Sequence, residues 1–438
     1  MTFESSKLLR ILKNFPKPTG YLVSFSGGLD SHVLLHSIKT ISKEINLPIR
    51  VIHLNHNLHQ ESDIHENHCK EVCSSFGFPF LSFQLDLKGD SKKGLEAFAR
   101  EKRYSVIADN LKKNEMLLLA HHRDDQVETL FLQLLRGSGV AGLSGMPKVR
   151  NWRGGWQARP LLNYSKDNLR DYGIKNQLKW VEDPSNKNQN FDRNYIRGTL
   201  LPIVKKRWKS YDKTVNRSIS HISNALILSD EVGNDDLKLC LKSHNCLSIK
   251  SLKKLSFNRR CNAIRFWIKE SDKPVPNTKR LLEINQTLLN ATFKSSPRVD
   301  WGNNSICSYR DSLWITDRER DERPKDMFSW PNQDRISLPK GQFLERTPSN
   351  FGIPKKIWDE NRIRIGWRSE GLKCKILGRY GTRSFKKICQ ELEIPPWNRN
   401  HIPLIFIDNE IAAVADYFFC EHIALSEANR CFKIYWSR

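Results

Sequence analysis

The sequence predicts an α/β protein: a doubly wound parallel sheet at the N-terminal end, then two smaller domains, one largely helical and one α+β. Three observations carry this reading. Over the first two hundred residues, short apolar runs alternate with helical patterns; strands separated by helices of about ten to fifteen residues pair in parallel through right-handed crossovers. The chain has 438 residues, roughly three times a typical domain of ~150, so two or three folding units are expected. The composition also shifts twice, to a basic stretch from Arg193 and to a charged, proline-containing stretch over 317–334.

In order, 21–25 (YLVSF) reads as a buried strand, 31–38 as the start of a helix, 49–54 (IRVIHL) as a second strand and 63–76 as a second helix. A strand over 80–87, a long helix over 95–110, a strand over 116–120 and a helix over 125–135 follow. Ligands of such sheets bind at the carboxyl ends of the strands, which places the chemistry just after Phe25, Leu54 and Ala120. Between 193 and 223, eight lysines and arginines face Asp212 alone, a basic helical connector. A unit from about 226 to 314 is mixed in pattern, and 317–334 reads as a linker. The last unit holds the run SFKKICQELEIPPWNRN (384–400) and a hairpin over 402–415 turning at Asp408 and Asn409. The expected boundaries are 1–215 for the catalytic domain with its connector, 216–316 for the middle domain, 317–350 for the linker and 351–438 for the C-terminal domain.

Lysine and arginine number 72 against 48 acids, a formal charge of +24. A surface this basic repels itself and is suited to a polyanion, nucleic acid first among soluble ones. The first twenty residues are polar and charged, without the apolar core of an export signal. The longest apolar runs, such as 116–120 and 403–407, fall far short of the roughly 18 residues of a membrane span. A cytoplasmic protein with no membrane partner is expected. Ten cysteines without a CxxC pair exclude a zinc ribbon or dithiol redox motif and fit reduced thiols. His65, Cys69 and Cys73 are spaced four apart, which puts three metal-ligand types on one helix face; packing of the cysteines as small hydrophobes is the alternative.

The strongest motif is Ser26-Gly27-Gly28-Leu29-Asp30-Ser31, between a strand and a helix. Glycines let the backbone turn and approach a ligand, and the N–H groups opening the helix cradle an anion. No GKS or GKT occurs in the chain, so this phosphate loop is not of the Walker type. At the end of the second strand, HLNHNL (53–58) offers His53 and Asn55 as donors for an adenine or a phosphate. At the next strand end, AHHRDDQVET (120–129) holds Asp125 and Glu128 three apart, both carboxylates on one helix face. Like charges there call for a cation, Mg²⁺ or a substrate ammonium. A glycine-rich, flexible segment, LLRGSGVAGLSGM (134–146), closes the site. Glu96, Arg100 and Arg103 share a helix face at i, i+4 and i+7, with the arginines suited to phosphate or developing negative charge.

The SGGxDS loop resembles the PP-loop of the ATP pyrophosphatase superfamily, with its adenine nucleotide α-hydrolase-like fold, whose members cleave ATP between the α and β phosphates. That resemblance implies that Asp30 helps to place Mg²⁺, that Ser26 and Ser31 bond phosphate oxygens, and that Gly27, Gly28 and Leu29 line the loop. Together with GLEAFAR (94–100), RPLL (159–162), WVEDPSN (180–186) and RNYIR (193–197), these blocks stand in the order seen in the tRNA(Ile)-lysidine synthases. The likeness is close over about 20–205 and resumes over 384–404. It implies a ligase acting on the CAU anticodon of an isoleucine tRNA. ATP adenylates the 2-carbonyl oxygen of the wobble cytidine, pyrophosphate leaves, and the ε-amine of L-lysine displaces AMP, so that decoding and charging switch from methionine to isoleucine.

Carried over from the family, Asp125 and Glu128 bind the lysine ammonium groups, while Asp30, Asp125, Glu128 and Arg100 form the catalytic set. Glu96, Arg103, Arg193, Arg197, Lys386, Lys387 and Arg399 are assigned to substrate. Between 364 and 400 nine basic residues face three glutamates, with Trp367, Tyr380 and Trp397 interleaved, the composition of an RNA surface. Asp125, a histidine and water stay open as acceptors of the lysine proton, and the oligomeric state, a homodimer included, stays open too. A tRNA 2-thiolation enzyme, an amidotransferase-type synthetase and a non-catalytic nucleotide-regulated RNA-binding protein are the rival readings.

Overall fold

The computed structural model describes residues 2–55, 62–86, 95–182, 188–290, 297–318, 326–421 and 431–437. They form two compact units, Met1–Ser229 and Asp230–Arg438, and helix α11 (Tyr211–Cys240) carries the chain from one into the other.

The first unit is built on a six-stranded sheet. Its strands are β1 (Tyr21–Ser24), β2 (Ile49–Asn55), β3 (Phe80–Gln84), β4 (Met116–Leu118), β5 (Val149–Trp152) and β6 (Gly155–Ala158), in the order β3-β2-β1-β4-β6-β5. All neighbours are parallel except the β5–β6 hairpin at the edge. Side chains alternate across a strand, and both faces here are covered. Tyr21, Val23, Val51, Met116 and Leu118 point into one core with Leu34, Leu35 and Ile38. Leu22, Ile52, Leu117 and Leu119 point into the other with Ile107. This is why these strands read as unbroken apolar runs; each such side chain, fully buried, contributes about 1.5–3 kcal/mol.

Helices α1 (Ser5–Lys13), α2 (Leu29–Thr40), α3 (Ser42–Ile45), α4 (Ser62–Phe76), α5 (Leu95–Asn110), α6 (Arg123–Leu135), α7 (Val140–Leu143) and α8 (Lys166–Lys175) complete the layers. The strand order reverses between β1 and β4, and a crevice outside the carboxyl ends opens at such a point. The SGGLDS loop follows β1 and the AHHRDD segment follows β4. The basic connector is helical: α9 (Asp192–Tyr195), a π-helical turn over Ile196–Leu200, α10 (Leu201–Arg207) and then α11.

Cys69 and Cys73 are fully buried in the first core, and their thiols are pushed up to about 12 by burial. They pack as hydrophobes, and no metal-binding cluster occurs among the described residues. None of the ten cysteines forms a disulfide.

In the second unit, the middle segment, expected to be largely helical, carries a five-stranded antiparallel sheet beside its helices: Leu241–Ser243, Cys246–Ser248, Ser312–Asp317, Asn304–Tyr309 and Arg298–Trp301. The segment 317–350, expected as a linker, also carries strands, at Phe328–Ser329, Arg335–Ser337 and Phe343–Ser349. Phe328–Ser329 pairs with Ile363–Gly366, and Phe343–Ser349 pairs along its whole length with Cys431–Ser437. The hairpin Leu404–Ile407 to Glu410–Val414 turns at Asp408 and Asn409, with Asp408 at φ 53°. No helix among the described residues is long and apolar enough to cross a membrane.

Candidate active site

The glycine loop is pre-shaped by its own side chains. The Ser26 N–H donates to Ser31 Oγ (3.2 Å), the two hydroxyls share a hydrogen bond (3.1 Å), and Ser31 Oγ donates to the Gly28 carbonyl (2.9 Å). Val181 N–H donates to the Gly27 carbonyl (3.1 Å) and so braces the loop from the WVEDPSN segment, of which 183–187 lie outside the described residues. Gly27 sits at φ +80°, and a Cβ there would stand 2.9 Å from the Cys69 sulfur. Gly27→Ala is therefore expected to cost about 1–3 kcal/mol and to weaken binding of an ATP analogue, read by thermal unfolding and calorimetry; unchanged values for both would contradict this account of the loop.

Asp30 follows the loop in the first turn of α2. Its Oδ1 is buried and has no hydrogen-bond partner, and its Oδ2 lies 3.5 Å from His122 Nε2. An orphaned carboxylate oxygen beside a phosphate cradle fits a hard divalent cation.

His53 and Asn55 close the second strand as expected, but both are buried and engaged. His53 Nδ1 is 2.9 Å from the Phe25 carbonyl, and Asn55 Nδ2 donates to Glu66 Oε2 (2.9 Å). They tie β2 to its neighbours; His56, Asn57 and Leu58 lie outside the described residues.

At the end of β4, His122 caps α6. Its own N–H donates to Asp125 Oδ2 (2.8 Å), and its imidazole Nδ1 stands 3.4 Å from the Asp125 nitrogen. The turn aims Asp125 and Glu128 inward, 8% and 1% exposed, and two arginines of the connector meet them. Arg193 donates to Glu128 Oε2 (2.7 Å) and Asp125 Oδ1 (2.9 Å); Arg197 donates to Glu128 Oε1 (2.6 Å) and Oε2 (2.9 Å). The carboxylates assigned to an incoming ammonium already hold two guanidinium groups. Arg193 and Arg197 flank the start of the π-helical turn, a local widening often found at functional sites.

Burial would raise the Asp125 carboxyl, but the charges of His122 and Arg193 hold it well below the usual carboxylate range. Burial would likewise lower His122, but Asp125, Asp30 and Asp124 raise it to about 9. His121 goes the other way: burial brings it to about 3, so its ring is neutral at pH 7, and its buried Nδ1 has no hydrogen-bond partner.

Arg100 and Arg103 lie over the Tyr104 ring at 5.1 and 5.4 Å. The side chain of Glu96 lies outside the described residues. The glycine-rich segment over 134–146 is clasped: Gln126 Nε2 donates to the Met146 carbonyl (2.8 Å), while Met146 N–H donates to Gln126 Oε1 (2.6 Å). Sequence reasoning passed over Gln126, although a glutamine inside an acidic first turn is the side chain able to satisfy both backbone polar groups of one residue.

In the second unit, Lys386 and Lys387 are exposed on the helix Phe385–Glu391, and Tyr380 is fully exposed between Gly378 and Gly381. Arg399 corrects its assignment to the RNA face. It is 5% exposed and donates to the Ile394 carbonyl (2.9 Å) and to Tyr309 Oη (3.3 Å), beside the buried Trp397. Its charge joins two parts of the unit.

Family models match three stretches of the chain: a PP-loop domain over 2–204, a TilS substrate binding domain over 247–314 and a TilS substrate C-terminal domain over 363–436. The chain is 35% identical to the tRNA(Ile)-lysidine synthase of Coxiella burnetii over 421 residues, 96% of this chain and 93% of that one. It is 34% identical to that of Alkalilimnicola ehrlichii (93% and 92% covered) and 32% identical to that of Photorhabdus laumondii (95% and 94%). With a PP-loop, two substrate domains and this likeness running nearly end to end, the chain belongs to the tRNA(Ile)-lysidine synthase family.

Proposed function

We propose that the protein uses ATP to join L-lysine to the wobble cytidine of a tRNA(Ile) bearing a CAU anticodon, forming lysidine and releasing AMP and pyrophosphate. One observation supports this reading above the others. At the switch point of the sheet, Asp30 behind a phosphate loop and Asp125, one of an acidic pair suited to an amine, are 3.5 and 3.6 Å from the same His122 nitrogen. A cytosine carbonyl is a poor electrophile, and adenylation turns its oxygen into a leaving group that an amine displaces.

The loop from Ser26 to Ser31 holds the phosphates on its backbone N–H groups. Mg²⁺, held by Asp30, would neutralise charge on the departing pyrophosphate. Arg100 and Arg103 steady negative charge developing on the transferred nucleotide. Asp125 and Glu128 receive the lysine cation, which must take over carboxylate oxygens now held by Arg193 and Arg197; the latter is the more exposed, at 33% against 23%. The attacking amine must lose a proton. His122 already carries one and Asp125 is held in its charged form, which leaves neutral His121 or water as the acceptor.

Because the tRNA is the polyanion that the +24 charge serves, the exposed Lys386 and Lys387 are assigned to its phosphates. The joint variant Lys386→Glu, Lys387→Glu is expected to weaken tRNA binding at least tenfold and to reduce the slope of log Kd against log salt by about 2. An unchanged slope would move the RNA face elsewhere. A cytoplasmic location belongs to the same proposal. The reaction is tested by AMP release, which is expected only when ATP, lysine and the CAU-bearing isoleucine transcript are all present; AMP formed equally well without RNA would point to another ATP pyrophosphatase.

A further inference from the structure

His122 stands between the two halves of the site. Its ring is 2% exposed and has carboxylates on three sides: Nε2 lies 3.5 Å from Asp30 Oδ2 and 3.6 Å from Asp125 Oδ2, and Nδ1 lies 3.6 Å from Asp124 Oδ2. No other side chain among the described residues is within ion-pair distance of both Asp30 and Asp125. Asp30 belongs to the helix behind the glycine loop; Asp125 is bonded to Arg193 and Arg197, which also hold Glu128. The ring is fixed over the first turn of the helix, with Nδ1 3.4 Å from the Asp125 nitrogen and 3.6 Å from Asp124 Oδ2, so it cannot follow one carboxylate without altering its distance to the other.

We propose that His122 is a positioning residue that couples occupancy of the nucleotide loop to the carboxylates of the amine site. The proposal rests on the reading of these two subsites given above. Anything that displaces Asp30 or takes up its charge changes the His122 link to Asp125, and any amine that rearranges Asp125 acts back on Asp30 with the same coupling energy, as linkage requires. A cap alone would need neither Asp30 nor the Nε2 nitrogen.

The test uses the full chain and calorimetric titration of L-lysine, with and without a saturating non-hydrolysable ATP analogue and Mg²⁺. In the wild type the lysine Kd is expected to differ between the two conditions by about fivefold or more. In His122→Asn, which keeps a good N-cap acceptor but is too short to bridge, the ratio is expected to fall below about twofold while each ligand alone still binds. A wild type whose two ligands ignore each other, or an Asn variant that keeps the wild-type ratio, overturns the proposal. A wild type that binds the nucleotide analogue and no lysine overturns the reading of the amine site, and the proposal with it. Histidine labelled with ¹⁵N gives an independent result that does not depend on folding of the variant. The His122 ring signals of the wild type are expected to shift on adding the analogue alone and on adding lysine alone, and signals blind to either ligand contradict the bridge.

Discussion

Asp30→Ala is expected to cut pyrophosphate release from ATP by at least about 10²–10³-fold while the tRNA Kd stays within twofold of the wild type. The expectation follows from two facts about one side chain. Its Oδ1 is buried without a partner, so the protein leaves that oxygen for something else, and the neighbouring loop presents backbone N–H groups rather than a lysine to the phosphates. A cation held there would supply positive charge for the departing pyrophosphate, and alanine would remove its ligand. The basic face assigned to tRNA lies on the second unit and does not involve Asp30, so binding and chemistry separate. Retained turnover would take Asp30 out of the reaction; lost tRNA affinity would mean that the variant damages more than the loop.

Glu128→Gln is expected to raise the lysine concentration for half-maximal rate more than tenfold, with little change in the ATP dependence, and to lower the unfolding temperature. The second effect has a separate cause from the first. Glu128 is 1% exposed and accepts hydrogen bonds from both Arg193 and Arg197. Removing one partner of a buried, hydrogen-bonded charge network leaves the other charges uncompensated and costs about 3–5 kcal/mol. Adding Arg197→Gln to Glu128→Gln removes one of those stranded charges. The double variant is therefore expected to regain part of the lost stability without regaining lysine affinity. If stability and lysine affinity recovered together, the carboxylate would be a scaffold for the connector and not a seat for the amine.

Much of the first unit was legible because its strands are buried on both faces. Runs such as YLVS and MLL, alternating with helical patterns, suit a parallel sheet covered on both faces, and the glycine loop between strand and helix marks the carboxyl edge. The edge hairpin formed by β5 and β6 was not legible, because VRNW and GWQA are short and carry arginine, asparagine and glutamine. The sheet of the middle segment was hidden for a related reason. Its strand Asn304–Tyr309 is buried at every position yet includes Asn304, Ser305 and Ser308, so neither an apolar run nor a period of two appears.

At the site, the spacing of Asp125 and Glu128 placed both acids on one face, but nothing local could show that Arg193 and Arg197, more than sixty residues away, fill them. Nothing local singled out His122, since its reach to Asp30 joins residues beyond the ends of different strands. Arg399 read as part of a basic patch because its partner Tyr309 lies 90 residues earlier in the chain. In each case the sequence displayed the chemical group, and tertiary packing decided which neighbour it served.

The most direct measurement is incorporation of radiolabelled lysine into RNA, with ATP, by the purified protein. The account predicts label covalently attached to the CAU-bearing isoleucine transcript in step with AMP release, and none on the methionine transcript with the same anticodon. ATP consumed with no label on the isoleucine transcript, or equal labelling of both, would contradict it.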